Sequence, residues 1–305
     1  MRSLLITLTL FSIIFISCDL YPQDDYKEYY VVESYLIAQD PLAPIYLSTT
    51  APATSAYSFE DYAVSGANVR VHLLSDDRDS NIVQTFAYQL DSAGVYSSAF
   101  QHTVLPSRTY QLQIKDLPND PTASIIGYTT VPDTFSNVSE VPDTVIYQSE
   151  NQIEIDITPS LNTQRQSYFI FTTIALNPSK ENFTPLYSDF FDDQEDEVGD
   201  FVKTSSGIVN EANFETKPNG IVTLKYPWLA VAFYGDNQIV ANIIDDNIYD
   251  FLRSQSVQLG GSTLSPGEIP NVLYRLDGGI GVFGSLAADT IQTYIERPSS
   301  IDFNQ

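Results

Sequence analysis

From Tyr29 onward the chain is built of short runs of apolar and β-branched residues cut by Pro, Gly, Asn and Asp. That spacing is the one expected of antiparallel sandwiches. The pattern predicts strands over residues 30–38, 45–50, 67–74, 83–88, 109–115 and 125–131. Two of them alternate plainly. Asn68-Val69-Arg70-Val71-His72-Leu73 and Tyr110-Gln111-Leu112-Gln113-Ile114-Lys115 each place apolar residues on one face and polar ones on the other, as half-buried strands require. Six such runs fit one sandwich over residues 29–131.

Residues 132–143 (PDTFSNVSEVPD) are polar, Pro-bounded and almost without periodicity, so they are read as a linker. A second β-rich domain is expected over 144–298, followed by a short tail, 299–305. Its strands are expected at 152–157, 168–176, 221–224, 228–234 and 290–295. The one helix is expected over 243–257, where Ile244, Ile248, Phe251 and Leu252 recur at helical spacing and Asp245 or Asp246 can cap the start. No fixed-period repeat is present. The expected fold class is therefore mainly β, a sandwich followed by a second β-rich domain with one short helix.

The N-terminus obeys another pattern. Arg2 precedes an unbroken apolar run, residues 4–17, that stops at Cys18-Asp19. At about 1.5 Å per residue this run is too short to cross a hydrocarbon core of about 30 Å, so it reads as a secretion signal. Phe15-Ile16-Ser17-Cys18 resembles a bacterial lipobox, whose Cys receives diacylglycerol and becomes residue one, although Phe15 stands where Leu is usual. Residues 1–17 are then a lipoprotein signal peptide, Cys18 the lipidation site and 18–28 a tether. The competing reading is an uncleaved anchor or an ordinary signal in which Cys18 is incidental. Position favours lipidation, because the single Cys of the chain falls where the apolar run ends. Acyl chains contribute about 0.8 kcal/mol per buried CH₂, enough to hold a protein on a membrane.

Composition narrows the chemistry. One Cys rules out a disulfide scaffold, and two His supply few ligands for transition metals. A net charge of −25 repels phosphate backbones, so nucleic acid is not an expected partner. Cleavage before Cys18 removes Arg2 alone among charged residues and takes the balance to −26. The acidic stretch 19–25 resembles the export signal that places Bacteroidota lipoproteins on the outer face of the outer membrane. The alternative is a solvated linker facing the periplasm.

Several short motifs occur in an order that resembles one family. They are Val31-Val32-Glu33-Ser34-Tyr35-Leu36, Ile45-Tyr46-Leu47-Ser48, Val64-Ser65-Gly66-Ala67-Asn68-Val69, Gly94-Val95-Tyr96 and Thr109-Tyr110-Gln111-Leu112. Tyr249, Pro270-Asn271-Val272 and Gly278-Gly279-Ile280-Gly281-Val282-Phe283-Gly284 complete the series, with Arg275-Leu276 where Asn-Ile is usual. The chain resembles the Bacteroidota lipoproteins catalogued as domain of unknown function 4249. The resemblance implies an immunoglobulin- or transthyretin-like N-terminal sandwich and a gene neighbourhood with TonB-dependent outer-membrane transporters.

Candidate sites beyond Cys18 are few. Gly279, Gly281 and Gly284 have dinucleotide-loop spacing but lack the strand–loop–helix setting, and a close passage of backbone is the simpler reading. Residues 189–200 carry seven carboxylates, of which Asp192, Asp193, Glu195 and Asp196 are weak Ca²⁺ candidates. They lack EF-hand order, and a solvated loop is the simpler reading. His72 and His102 read as structural residues. Asp-Ser/Thr-apolar triplets at Ser92, Thr144 and Thr290 look like O-glycosylation acceptors of Bacteroidota. Tyr21, Tyr26, Tyr29 and the stretch Tyr57-Ser58-Phe59-Glu60-Asp61-Tyr62 form a candidate contact patch.

No catalytic residue or cofactor is expected. The function expected is that of a lipid-anchored outer-membrane binding or accessory subunit, exposed at the cell surface beside a TonB-dependent transporter. A surface structural or adhesion protein and a secreted hydrolase are the alternatives, the last requiring a cleft with converging carboxylates of perturbed pKa.

Overall fold

A computed structural model describes residues 26–52, 54–78, 80–138, 141–149, 153–158, 166–192, 194–260 and 271–299. Cys18, Tyr21, Asp193 and Gln152 lie outside them. The protein is mainly β, a large curled sheet with few helices. In chain order the strands are β1 (Tyr30–Ile37), β2 (Ile45–Thr49), β3 (Asn68–Leu74), β4 (Ile82–Ser92), β5 (Val95–Ser98), β6 (Thr109–Lys115) and β7 (Ile125–Thr130). After residues 132–143 come β8 (Thr144–Ile146), β9 (Glu154–Ile157), β10 (Tyr168–Ala175), β11 (Lys203–Asn210), β12 (Val222–Lys225), β13 (Gly235–Ile244), β14 (Leu276–Asp277) and β15 (Ile280–Glu296). Among the described residues three α-helices interrupt them: α1 (Phe59–Tyr62), α2 (Pro185–Phe190) and α3 (Asp246–Gly260).

Hydrogen bonds trace one path of strands, β11-β10-β13-β15-β1-β2-β5-β4-β3-β6-β7-β14, with β8 beside β15, while β12 and β9 form a separate pair. The alternating segments recognised in sequence supply its centre: β3 and β6 pair antiparallel, Val71 opposite Leu112, with Val71, Leu112 and Ile114 fully buried. The pairing that joins the two halves of the path is parallel. β1 lies in register with β15, Val32 beside Gly281 and Leu36 beside Ser285, so the first strand adjoins the last. One core cluster draws on both halves, from Val32, Leu47 and Phe86 to Phe169, Phe283 and Ile295. Residues 132–143 are stitched to the same strand: the Thr293 hydroxyl donates to Pro142 O (2.8 Å) and the Tyr294 amide to Asp143 O (2.8 Å).

α3 covers the other face of this sheet. Ile248 buries against Val282 and Ile244, while Tyr249 stacks on Tyr168 with centroids 3.8 Å apart. Full burial of an aliphatic side chain of this size contributes about 1.5–3 kcal/mol. The helix begins at Asp246 rather than 243 because Ile243 and Ile244 are still paired in β13 with Ala287 and Leu286 of β15.

Other boundaries moved too. Residues 228–234, expected as a strand, form a 3₁₀ turn, Trp228–Ala230, after Pro227, and only Phe233 bridges, to Phe183. Burial explains the misleading pattern: Ala230, Val231, Ala232 and Phe233 are an apolar run enclosed on all sides without ladder partners along its length. β11 and the polar opening of β13 gave no alternation to read. The expected strand at 290–295 is the end of β15, which spans 17 residues.

The glycines explain how β15 is approached so closely. Gly281 has φ +103°, and a Cβ there would stand 2.1 Å from Val32 O of β1. Gly66 has a similar φ, +93°, with nothing within 4 Å of its Cβ position. The two separate backbone strain from steric conflict. Gly66→Ala is expected to cost about 1 kcal/mol, and Gly281→Ala at least twice as much, since strain and collision add. Denaturant unfolding of the two variants checks the difference.

Candidate functional site

Where α3 meets β7, a cleft of about 810 Å³ opens between the turn after β3 and the segment leading into β14. Its walls carry Asp77 and Arg78, Tyr128 and Asp133, Asp245 to Asn247, and Tyr274 to Asp277. Local sequence places each group. Asp245 directly follows β13 and caps α3: its Oδ1 accepts the Ile248 amide (2.9 Å), and its carbonyl accepts the Tyr249 amide (3.1 Å). This is the side-chain cap that a helix N-terminus requires. Its other oxygen, Oδ2, accepts the Thr129 hydroxyl of β7 (2.5 Å) and the Ser285 hydroxyl of β15 (3.4 Å). Asn247 adds a second clip, its Nδ2 donating to Tyr128 O (2.6 Å) and Phe283 O (2.7 Å).

Burial pushes the Asp245 carboxyl up to about 6, against the hydrogen bonds from Thr129, Ile248 and Ser285, which favour the charged form, while Asp246 nearby reinforces the rise. Gly284 permits this arrangement. A Cβ there would stand 2.4 Å from Ile248 Cγ1 and 3.3 Å from Asp245 Oδ1. The glycine spacing therefore serves the close approach of β1 and α3 to β15. No helix follows it, since β15 continues to Glu296.

The outer wall is polar and aromatic. The Arg78 guanidinium lies over the Tyr128 ring (5.1 Å), whose hydroxyl accepts from Gln111 Nε2 (2.6 Å). Arg275 Nε donates to Asp250 Oδ2 (2.7 Å). Asp133 Oδ1 accepts the Thr134 amide (2.9 Å), whereas its buried Oδ2 meets no hydrogen-bond donor among the described residues. Such an acceptor calls for a donor from water or a ligand. The lining includes no imidazole and no thiol. Asp245 has a raised pKa, and both of its oxygens are committed to the scaffold.

The residues singled out in sequence lie elsewhere. Asp192 Oδ1 accepts the Gln194 amide (2.9 Å) and Asp196 Oδ2 the Asp192 amide (2.9 Å), so these carboxylates close their own turn; Glu195 lies within it. Among the described residues no group of three or more His, Cys, Asp or Glu side chains is arranged to hold a metal ion. Ser92, Thr144 and Thr290 are all exposed. His72 Nδ1 meets Thr85 Oγ1 (2.8 Å) and His102 Nε2 meets the Tyr110 hydroxyl (2.9 Å), and burial lowers both pKa values. The cleft residues went unnoticed because Asp133 lay in the supposed linker and Asp245 was read as a cap alone. The run Asp245-Asp246-Asn247 between an apolar strand and a helix was the available signal.

Fold and cleft together define a mainly β protein with a polar cleft at the junction of its first-half sheet and its helix. The chain belongs to the family described as Domain of unknown function (DUF4249), whose model matches residues 18–292. No curated protein matches it. Among solved structures it is similar to a Salmonella alpha-2-macroglobulin reacted with methylamine (9% identity, TM-score 0.23, 88% of this chain and 15% of that one). It is likewise similar to Escherichia coli alpha-2-macroglobulin activated by trypsin (9%, 0.20, 72% and 14%) or by porcine elastase (10%, 0.23, 87% and 22%). The chain thus spans less than a quarter of these proteins, and at such TM-scores the likeness carries no argument.

Because the folded protein holds the Asp245 proton more tightly than the unfolded chain, its contribution to stability is full below the ordinary value of 3.8 and is lost as the pH rises through about 6. Asp245→Asn mimics the protonated acid. The stability of the native protein relative to this variant should fall by about 3 kcal/mol between pH 3.5 and pH 7, read from urea unfolding at both values. Asp245→Ala, which removes the cap and leaves two hydroxyls without their acceptor, should cost about 2–4 kcal/mol at pH 3.5 and correspondingly less at pH 7, where the native carboxyl has lost its own contribution.

Proposed function

We propose that the protein is a lipid-anchored outer-membrane lipoprotein, a non-enzymatic binding or accessory subunit that works beside a TonB-dependent transporter. One observation carries the anchor: the family match begins at residue 18, the Cys at which the apolar run ends. What the family shares therefore starts where a lipobox reading starts the mature chain. No helix among the described residues is long and apolar enough to cross a membrane, and a lipid on Cys18 supplies attachment without one. Tyr26 lies eight positions after Cys18, a reach of about 29 Å at full extension.

The binding role is supported by the cleft, with its acceptor at Asp133 and its aromatic walls. The transporter rests on the family resemblance. Confinement to the membrane plane would raise the effective concentration of the cleft near such a partner. The exposed Ser92, Thr144 and Thr290 suit O-glycosylation of a protein that faces outward.

In the native host, the intact mass should show acyl chains on Cys18, with sugar increments that Ser92→Ala, Thr144→Ala and Thr290→Ala remove. Cys18→Ser should move the protein from membrane to soluble fraction. Gentle extraction of the native form should co-purify a large β-barrel protein, and shaving of intact cells with protease should degrade it. A native protein without acyl mass sinks the anchor, and repeated purification without a barrel partner sinks the accessory role.

A further inference from the structure

The outer face of β2 carries an aromatic surface that the cleft does not use. Tyr46 and Ser48, with Thr50 just beyond the strand, point to the same side, as alternate residues do. The loop bearing α1 folds over them. Phe59 meets Tyr46 edge-on with centroids 5.8 Å apart, the Tyr57 hydroxyl lies 3.4 Å from Ser48 Oγ, and the Tyr57 and Tyr62 rings stack at 5.6 Å. Phe59 is the root of this patch, its ring 3.0 Å from the position a Cβ on Gly94 would take.

The same face receives the entering chain. The Tyr26 hydroxyl bonds Thr50 through both its carbonyl and its Oγ1, and the Tyr29 amide donates to Thr50 Oγ1 (3.1 Å). Tyr26, Tyr29, Tyr46 and Tyr57 remain 41–57% exposed, which leaves four phenol rings in solvent in one neighbourhood.

We infer that this patch lies on the bilayer that carries the lipid on Cys18 and sets the orientation of the protein against it. The inference rests on the anchoring reading above and adds the contact surface. Two arguments commit it to a membrane. The patch contains Tyr26, eight positions after Cys18 in the chain, so it lies within about 29 Å of the lipid. Its exposed rings are also all Tyr, an apolar body with a polar tip, the side chain that collects at headgroup level. Glu28, Glu60 and Asp61 border the patch; their charge keeps it at the surface of the bilayer rather than within the hydrocarbon.

The test uses the mature, acylated protein in phosphatidylcholine–phosphatidylethanolamine vesicles. Trp228→Phe removes the single indole, and Tyr57→Trp or Val83→Trp then places one reporter. Val83 is 60% exposed and lies seven residues along β4 from Leu90, which pairs with Tyr96 next to Ile45 of β2. That is about 24 Å from the patch at about 3.4 Å per residue. Headgroup spin-labelled lipid should quench Tyr57→Trp at least twofold and leave Val83→Trp unchanged. Equal quenching of the two reporters in protein that floats with the vesicles overturns the inference and leaves the anchor standing; a protein docking surface would give that result. Acylated protein that does not float removes the anchor and the inference with it.

Discussion

β15 is the constraint on which the rest of the structure depends. Its early residues must accept β1 in parallel register and the N-terminus of α3 on one face, and from Leu286 onward it must pair with β13. Three elements cannot approach one backbone so closely if every position carries a side chain. Gly281 yields to the carbonyl of Val32, and Gly284 yields to Ile248 and Asp245. A long strand begun by glycines is entropically unfavourable on its own. It becomes favourable because each missing Cβ admits a whole packed element. The ends of the chain are joined as a result, and the core continues from the first half into the second.

Asp245 shows what this junction costs and what it organises. A carboxylate at the end of β13 satisfies the amides of α3, but the closeness that Gly284 allows also takes it out of water. Desolvation wins over the three hydrogen bonds that favour its charged form, and its pKa rises. In a chain with 39 acidic residues, most of them in solvent, this one is spent on fixing β7, β15 and α3 relative to one another. The cleft is the outer side of that junction, so its shape is inherited from the packing of β15 rather than from a loop of its own.

Much of this was legible in particular residues. Alternation at 68–73 and 110–115 gave β3 and β6, helical spacing of Ile248, Phe251 and Leu252 gave α3, and the glycine run gave a close passage of backbone. What stayed hidden has a physical reason in each case. β11 is an edge strand whose inward positions Thr204 and Ser206 are polar, the Ser206 hydroxyl accepting the Phe171 amide, so its burial left no apolar alternation. Residues 230–233 are apolar because they are enclosed, and burial without pairing looks like a buried strand. The parallel contact of β1 with β15 joins residues about 250 apart, which no local pattern encodes. The cleft followed the same rule: Tyr128, Asp133 and Asp245 become neighbours only after that contact is made.

The relation of the cleft to the tether follows from β4. This strand starts at Ile82, just after the Asp77–Arg78 turn that rims the cleft, and ends at Ser92, beside the Gly94 turn on which Phe59 of the aromatic patch rests. Ten steps along this 11-residue strand separate the two, about 34 Å at about 3.4 Å per residue. A protein resting on its β2 face would therefore hold the cleft well to one side of that contact. An acyl anchor by itself would not fix the direction in which the cleft of such a body faces. Rings at the point of entry remove that freedom without another anchor, because the free energy needed to fix an orientation is small beside that of the acyl chains. A binding subunit confined to a plane gains from confinement only if its site faces what it binds. The tyrosines gather toward one end of β4, and the cleft with the Asp133 Oδ2 acceptor toward the other.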